Sequence, residues 1–178
     1  MGPVLIVDDH PIIVDACRLI LGDTETILAA RSVGSGYEAF LAHRPDVVIV
    51  DLSLRENSLD GIALIRSICM VAPLARILVF SMHADADIVT SAIEAGATGY
   101  LIKDSSPDEL PEAVRQVRSG FRYVDKRIRG VPEKIPDQAA APGITASTVT
   151  PLSPEASVSE PPSARMRSRI PVRPRPSL

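Results

Sequence analysis

Three runs of continuous apolar residues, Val4-Leu5-Ile6-Val7, Val47-Val48-Ile49-Val50 and Ile77-Leu78-Val79-Phe80, constrain this chain more than any other feature. A strand with one wet face alternates polar and apolar residues. Four apolar residues in succession, bounded by turns, need cover on both faces. The cover lies between them: Ile12, Ile13, Ala16, Cys17, Leu19 and Ile20 follow helical spacing, as do Ile62, Leu64, Ile65, Ile68 and Cys69, and then Ile88, Val89, Ala92 and Ile93. A fourth helix is expected over residues 37–42. A last one, marked by Leu110, Val114 and Val117, is expected to start near Pro107 with Ser106 as N-cap and to stop at Gly120. Weaker strands are read at residues 26–30 and at Gly99-Tyr100-Leu101-Ile102. Five strands alternating with five helices imply right-handed crossovers and an α/β fold, a parallel sheet with helices on both faces. In such sheets the functional crevice lies outside the carboxyl ends of the strands.

Composition splits the chain in two. Through Asp125 there are 10 Lys and Arg against 18 Asp and Glu, and after it 9 against 4, so the two parts carry −8 and +5. Six of the 16 prolines fall in the first part and ten in the last 53 residues, and Tyr123 is the last aromatic residue. From Lys126 onward Leu, Ile, Val and Phe number 10 of 53 residues, too few to bury a core. A domain over residues 1–124 followed by a disordered Pro/Arg-rich tail over 125–178 is expected. No aliphatic run approaches the roughly 20 residues of a spanning helix. No basic region precedes a hydrophobic stretch at the N-terminus, and Ile6 stands where a myristoylation motif needs Ser or Thr. A cytoplasmic location with no membrane association is expected. Cys17 and Cys69 sit in apolar helical patterns without CxxC or Cys/His clustering, and read as buried reduced thiols.

The residues after the strands carry the chemistry: Asp8 and Asp9 after the first, Asp51 after the third, Ser81 after the fourth and Lys103 after the fifth. Any one of these is an ordinary loop residue. Three carboxylates at one sheet edge repel each other unless a hard cation and an ammonium offset them. Mg²⁺ suits that set, because it takes one or two carboxylates, keeps waters and shares phosphoryl oxygens. Lys103 is a compact charge able to reach the same phosphoryl group. An Asp between the two is suited to attack phosphorus and form an aspartyl phosphate.

The segments Val4-Leu5-Ile6-Val7-Asp8-Asp9-His10-Pro11, Asp51-Leu52-Ser53-Leu54, Phe80-Ser81-Met82-His83 and Ala95-Gly96-Ala97-Thr98-Gly99-Tyr100-Leu101-Ile102-Lys103-Asp104 resemble the successive signatures of response-regulator receiver domains, most closely those of NarL/LuxR-type transcriptional regulators. The resemblance implies a doubly wound, flavodoxin-like sheet of order 2-1-3-4-5. It implies that Asp51 accepts phosphate from a sensor histidine kinase or a phosphotransfer protein, and that Asp8, Asp9 and Asp51 hold Mg²⁺ with the backbone carbonyl of Ser53. Lys103 then pairs with the phosphoryl group, and Ser81 and Tyr100 form the switch pair, the hydroxyl turning to the phosphate while the ring moves inward. The implied output surface is helix 4, strand 5 and helix 5, which also offers a homodimer face. His10 and His83 read as loop histidines, and neither is given a catalytic role.

The chain departs from the pattern twice. Leu54-Arg55-Glu56-Asn57-Ser58-Leu59-Asp60 precedes Gly61, two residues more than usual and without a proline. The expected DNA-binding module is also missing: Pro151-Leu152-Ser153-Pro154-Glu155 faintly resembles its start, but residues 156–178 lack helical periodicity. Arg165, Arg167, Arg169, Arg173 and Arg175 offer at most nonspecific, salt-sensitive nucleic-acid contact, with no aromatic residue for base stacking. The leading expectation is therefore a phosphoacceptor switch rather than a turnover enzyme. A DNA-binding regulator with a degenerate output part is the alternative. A phosphohydrolase of the Asp-nucleophile type is disfavoured, because Ser53 stands where such enzymes have a second Asp.

Overall fold

The computed structural model describes residues 2–22, 25–54 and 59–130. The expected tail beyond residue 130 and residues 55–58 of the long loop, including Glu56, lie outside them. Among the described residues the elements run β1 (Val4–Val7), α1 (Pro11–Leu21), β2 (Ile27–Ala30), α2 (Val33–His43), β3 (Val47–Val50), α3 (Asp60–Val71), β4 (Ile77–Ser81), α4 (Ala86–Glu94), β5 (Gly99–Ile102), α5 (Glu109–Arg118) and β6 (Tyr123–Val124). No described helix is long and apolar enough to cross a membrane.

The strands pair in parallel in the order β2-β1-β3-β4-β5-β6. Val4 is in register with Ile27 on one side and Val47 on the other, so β1 lies between β2 and β3. Alternate residues of each strand feed two cores. Val4, Ile6, Ile49, Leu78 and Leu101 pack under α1 and α5 through Val14, Cys17, Leu110, Val114 and Val117. Leu5, Val7, Val48, Val50 and Val79 pack under α2, α3 and α4 through Phe40, Leu64, Ile65, Ile68, Val89 and Ile93. That two-sided burial is why the central runs are apolar throughout.

Three expectations need correction. The sheet has six strands rather than five, because after α5 the chain turns at Gly120, with φ of 82°, and lays Tyr123-Val124 beside Gly99 and Tyr100. Helix α2 starts at Val33, four residues before position 37. Ser32 and Ser35 cap one another reciprocally there, which offsets the weak helix preference of Gly34 and Gly36. Helix α5 starts at Glu109, not Pro107, with Asp108 as N-cap, and the Ser106 carbonyl accepts the Glu109 N–H at 2.9 Å.

Both cysteines are free. Cys17 is 1% exposed, and its burial pushes the thiol up to about 11; burial raises Cys69 as well.

One ion pair ties the entry of β2 to the end of α5: Arg118 donates from Nη1 and Nη2 to the two Glu25 carboxylate oxygens at 2.6 and 2.7 Å. Those hydrogen bonds hold the Glu25 carboxyl below its ordinary value of 4.5. A depressed folded pKa contributes stability above the unfolded value and loses it as pH falls through the folded one. Arg118→Ala should therefore lower stability by about 1 kcal/mol at neutral pH. In urea titrations its gap from the native chain should narrow once pH drops below 4.5, the ordinary value for this carboxyl. A gap independent of pH would show that Glu25 is not the partner that matters.

Candidate functional site

The carboxyl ends of β1 and β3 continue their ladders for one residue. Asp8 donates its N–H to Ala30 O at 3.0 Å, and Asp51 donates to Val7 O at 2.9 Å, so both side chains are rooted in sheet backbone. Asp8 is 2% exposed and Asp51 4%. Two such carboxylates in one buried corner need a cation. Lys103, just past β5, supplies it, with Nζ 2.7 Å from Asp8 Oδ2 and 2.8 Å from Asp51 Oδ2. Burial alone would lower the Lys103 pKa, but hydrogen bonds to Asp51 and Asp8 more than offset it, so the ammonium stays charged.

The remaining oxygens converge beside that ammonium. One ligand atom each from Asp8, Asp9, His10 and Asp51 lies within 4.8 Å of all the others. Asp9 Oδ1 is buried and makes no hydrogen bond, although His10 Nδ1 is 3.0 Å away. Hard oxygens with an unsatisfied one among them fit a divalent cation such as Mg²⁺, and the acidic cluster is able to hold one.

A second group of contacts links the rim. Ser81 is the last residue of β4 and fully buried, and Tyr100 in β5 is fully buried with its ring inward. The Tyr100 hydroxyl donates to the His83 carbonyl at 2.9 Å, and burial keeps the phenol neutral by raising its pKa. His83 Nε2 lies 3.0 Å from Ser53 Oγ, and the His83 N–H donates to Ser81 Oγ at 3.4 Å.

The structure thus brings together Asp8, Asp9, Asp51 and Lys103, and groups Ser53, Ser81 and Tyr100 at their edge through His83. Three contributors were not legible. His10 donates its N–H to Asp8 Oδ1 at 2.8 Å, and its ring faces the same carboxylate at 3.2 Å. His83 ties Ser53 to Ser81 and Tyr100. Gly61 allows α3 to rest on the Asp51-Leu52 backbone, since a Cβ there would come within 2.2 Å of the Asp51 carbonyl oxygen. The position of His10 next to Asp9 and of His83 two residues after Ser81 was the available signal for the first two.

Known proteins share this chain's sequence pattern and fold. Residues 4–115 match the model of the response regulator receiver domain. The methanol utilization control regulatory protein MoxX of Paracoccus denitrificans is 40% identical over 127 residues, 70% of this chain and 57% of that protein. The chain therefore spans little more than half the length of that curated relative. Among solved structures, a LuxR-family two-component response regulator from Aurantimonas sp. SI85-9A1 superposes with a TM-score of 0.66 at 33% identity, covering 72% of this chain and 92% of that one. The isolated receiver domain of RcsB from Salmonella enterica serovar Typhimurium, with beryllofluoride, gives a TM-score of 0.63 at 25% identity, covering 71% and 95%. A buried aspartate pair bridged by a lysine, at the carboxyl ends of the strands of a β2-β1-β3-β4-β5-β6 sheet, is in this chain the mark of the family to which it belongs, the response regulator receiver domains.

Proposed function

We propose that this chain is a phosphoacceptor switch in which Asp51 takes a phosphoryl group from the phosphohistidine of a sensor kinase or phosphotransfer protein. The observation that carries the reading is the Lys103 ammonium held between Asp8 and Asp51 at 2.7 and 2.8 Å. A carboxylate oxygen of Asp51 attacks phosphorus, the P–N bond breaks, and its electron pair leaves on the imidazole nitrogen, which takes up a proton. Lys103 swings from Asp51 Oδ2 toward a phosphoryl oxygen, exchanging one anionic partner for another in the same corner. Mg²⁺, held by Asp8, Asp9, Asp51 and the Ser53 carbonyl, would neutralise charge on the phosphoryl oxygens. Ser81 donates its hydroxyl to the new phosphoryl group, and Tyr100, whose ring is already inward with its hydroxyl on the His83 carbonyl, keeps that position.

The chemistry is confined to the protein's own phosphorylation and dephosphorylation, in the cytoplasm, with no turnover of an external ester. The output is carried by α4, β5 and α5, where a partner or a second copy would also meet β6. The regulatory names of the relatives support a second reading, a DNA-binding regulator. A gel shift at physiological salt, with the full chain and residues 1–130 side by side, separates the two. Asp51→Asn should abolish Mg²⁺-dependent, acid-labile labelling by a small phosphodonor, and labelling at the native level would defeat the assignment.

A further inference from the structure

A third buried carboxylate lies just past β6. Asp125 follows β6 directly and is 1% exposed, a position that a charged group holds only when fully partnered. Its Oδ2 accepts from Ser105 Oγ at 2.6 Å, Arg127 Nη2 at 2.9 Å and the Ile102 N–H at 3.3 Å. Its Oδ1 accepts from the Arg127 N–H at 3.0 Å and Nε at 3.1 Å. The Asp125 N–H donates to the Tyr100 carbonyl at 2.9 Å. Arg127 continues to Asp104 Oδ1 at 2.9 Å and donates to Ser105 Oγ.

Apart from Arg127 itself, every one of these partners falls between Tyr100 and Ser105, the segment in which Lys103 is rooted. Ile102 and Asp104, its two neighbours in sequence, are both held. The Lys103 N–H is fixed in turn by the Ser81 carbonyl at 2.9 Å. A lysine side chain is long and flexible, so where its ammonium sits depends on how firmly its backbone is anchored. By contrast, Asp8 and Asp9 belong to the far end of β1, and no described contact joins them to Asp125 or Arg127.

We propose that Asp125 and Arg127 are positioning residues for Lys103, so that the segment just past β6 sets how fast Asp51 is phosphorylated. This rests on the phosphoacceptor reading. A misplacement of about 1 Å at a catalytic group can cost up to about a hundredfold in rate. The latch touches the lysine's root and none of the cation's ligands, and Lys103 is the competing counter-charge on Asp8 and Asp51, so loosening it slows phosphoryl transfer without weakening cation binding. The arginine's fork, matched to Asp125 and Asp104 together, is what lysine at that position lacks.

The full chain and its Asp125→Asn, Arg127→Ala and Arg127→Lys variants would be phosphorylated with acetyl phosphate and Mg²⁺, with Mg²⁺ affinity measured by calorimetry and folding by thermal melting. Arg127 is 45% exposed at its side chain, so its variants keep the test alive if Asp125→Asn does not fold. Asp125→Asn and Arg127→Ala should slow labelling by about tenfold or more, Arg127→Lys should recover part of the loss, and Mg²⁺ affinity should not fall below the native value. Labelling rates within twofold of native, or rate and Mg²⁺ affinity falling together, would overturn the proposal. A native chain that takes no label at all would instead sink the phosphoacceptor reading, and this proposal with it.

Discussion

Lys103→Met should destabilise the cation-free domain by about 3–5 kcal/mol, and added Mg²⁺ should restore a large part of the loss. The side chains of Lys103, Asp8 and Asp51 are 6%, 3% and 4% exposed, so the ammonium is the buried counter-charge of two buried carboxylates. Removing it leaves both uncompensated, and one must then bind a proton or the corner must open to water. A divalent cation approaching Asp9 Oδ1 replaces part of the missing charge. The measurement is urea unfolding of the native and variant chains with and without Mg²⁺. Unchanged stability, or a loss that Mg²⁺ does not touch, would show that the lysine is not the balancing charge.

The second large effect is expected at Gly61. A Cβ there meets the Asp51 carbonyl oxygen at 2.2 Å, the Leu52 Cα at 2.7 Å and the Asp51 carbonyl carbon at 3.0 Å. All three are backbone, which cannot rotate away as a side-chain tip can. Gly61→Ala must push α3 off the turn that carries Asp51, at a cost of about 1–3 kcal/mol or more, and should slow phosphorylation as well. Gly34→Ala is the matched control, because its Cβ meets nothing within 4 Å inside α2, and it should stabilise by about 0.5–1 kcal/mol. If the two substitutions shift the denaturation midpoint alike, the close approach at Gly61 has no energetic weight.

What could be read from the chain in advance follows from range of interaction. Strands β1, β3 and β4 were legible because burial on both faces leaves a local, unbroken apolar run. The acidic corner was legible because each member stands directly at its strand's end, so placing the strand placed the residue. Asp125 was not. Its partners, Ile102 and Ser105, lie 23 and 20 residues earlier, and a boundary drawn after residue 124 assigned it to the tail. The first turn of α2 was hidden by its glycines, whose unfavourable propensity is outweighed by a reciprocal serine cap that pattern counting does not weigh. The start of α5 was misplaced because a Ser-Pro pair fits an N-cap and a first turn equally well whether the helix begins there or after one more turn. The histidines illustrate a different limit: proximity to the site was visible, but ring direction is set by tertiary contacts.

The short strand β6 also decides how this sheet can meet other chains. Gly99 and Tyr100 are paired with Tyr123 and Val124, the Tyr100 carbonyl is taken by the Asp125 amide, and the Ile102 amide is taken by the Asp125 carboxylate. A side chain thereby continues, for one rung, the ladder that the backbone began. Unpaired edge groups are templates for another strand, and on this margin the outermost strand is only the two residues Tyr123 and Val124, too short to template much. Strand-by-strand annealing with a second molecule is therefore steered to β2, the opposite margin. A chain cut after Val124, where composition changes, would lose that last rung and reopen the margin beside Tyr100.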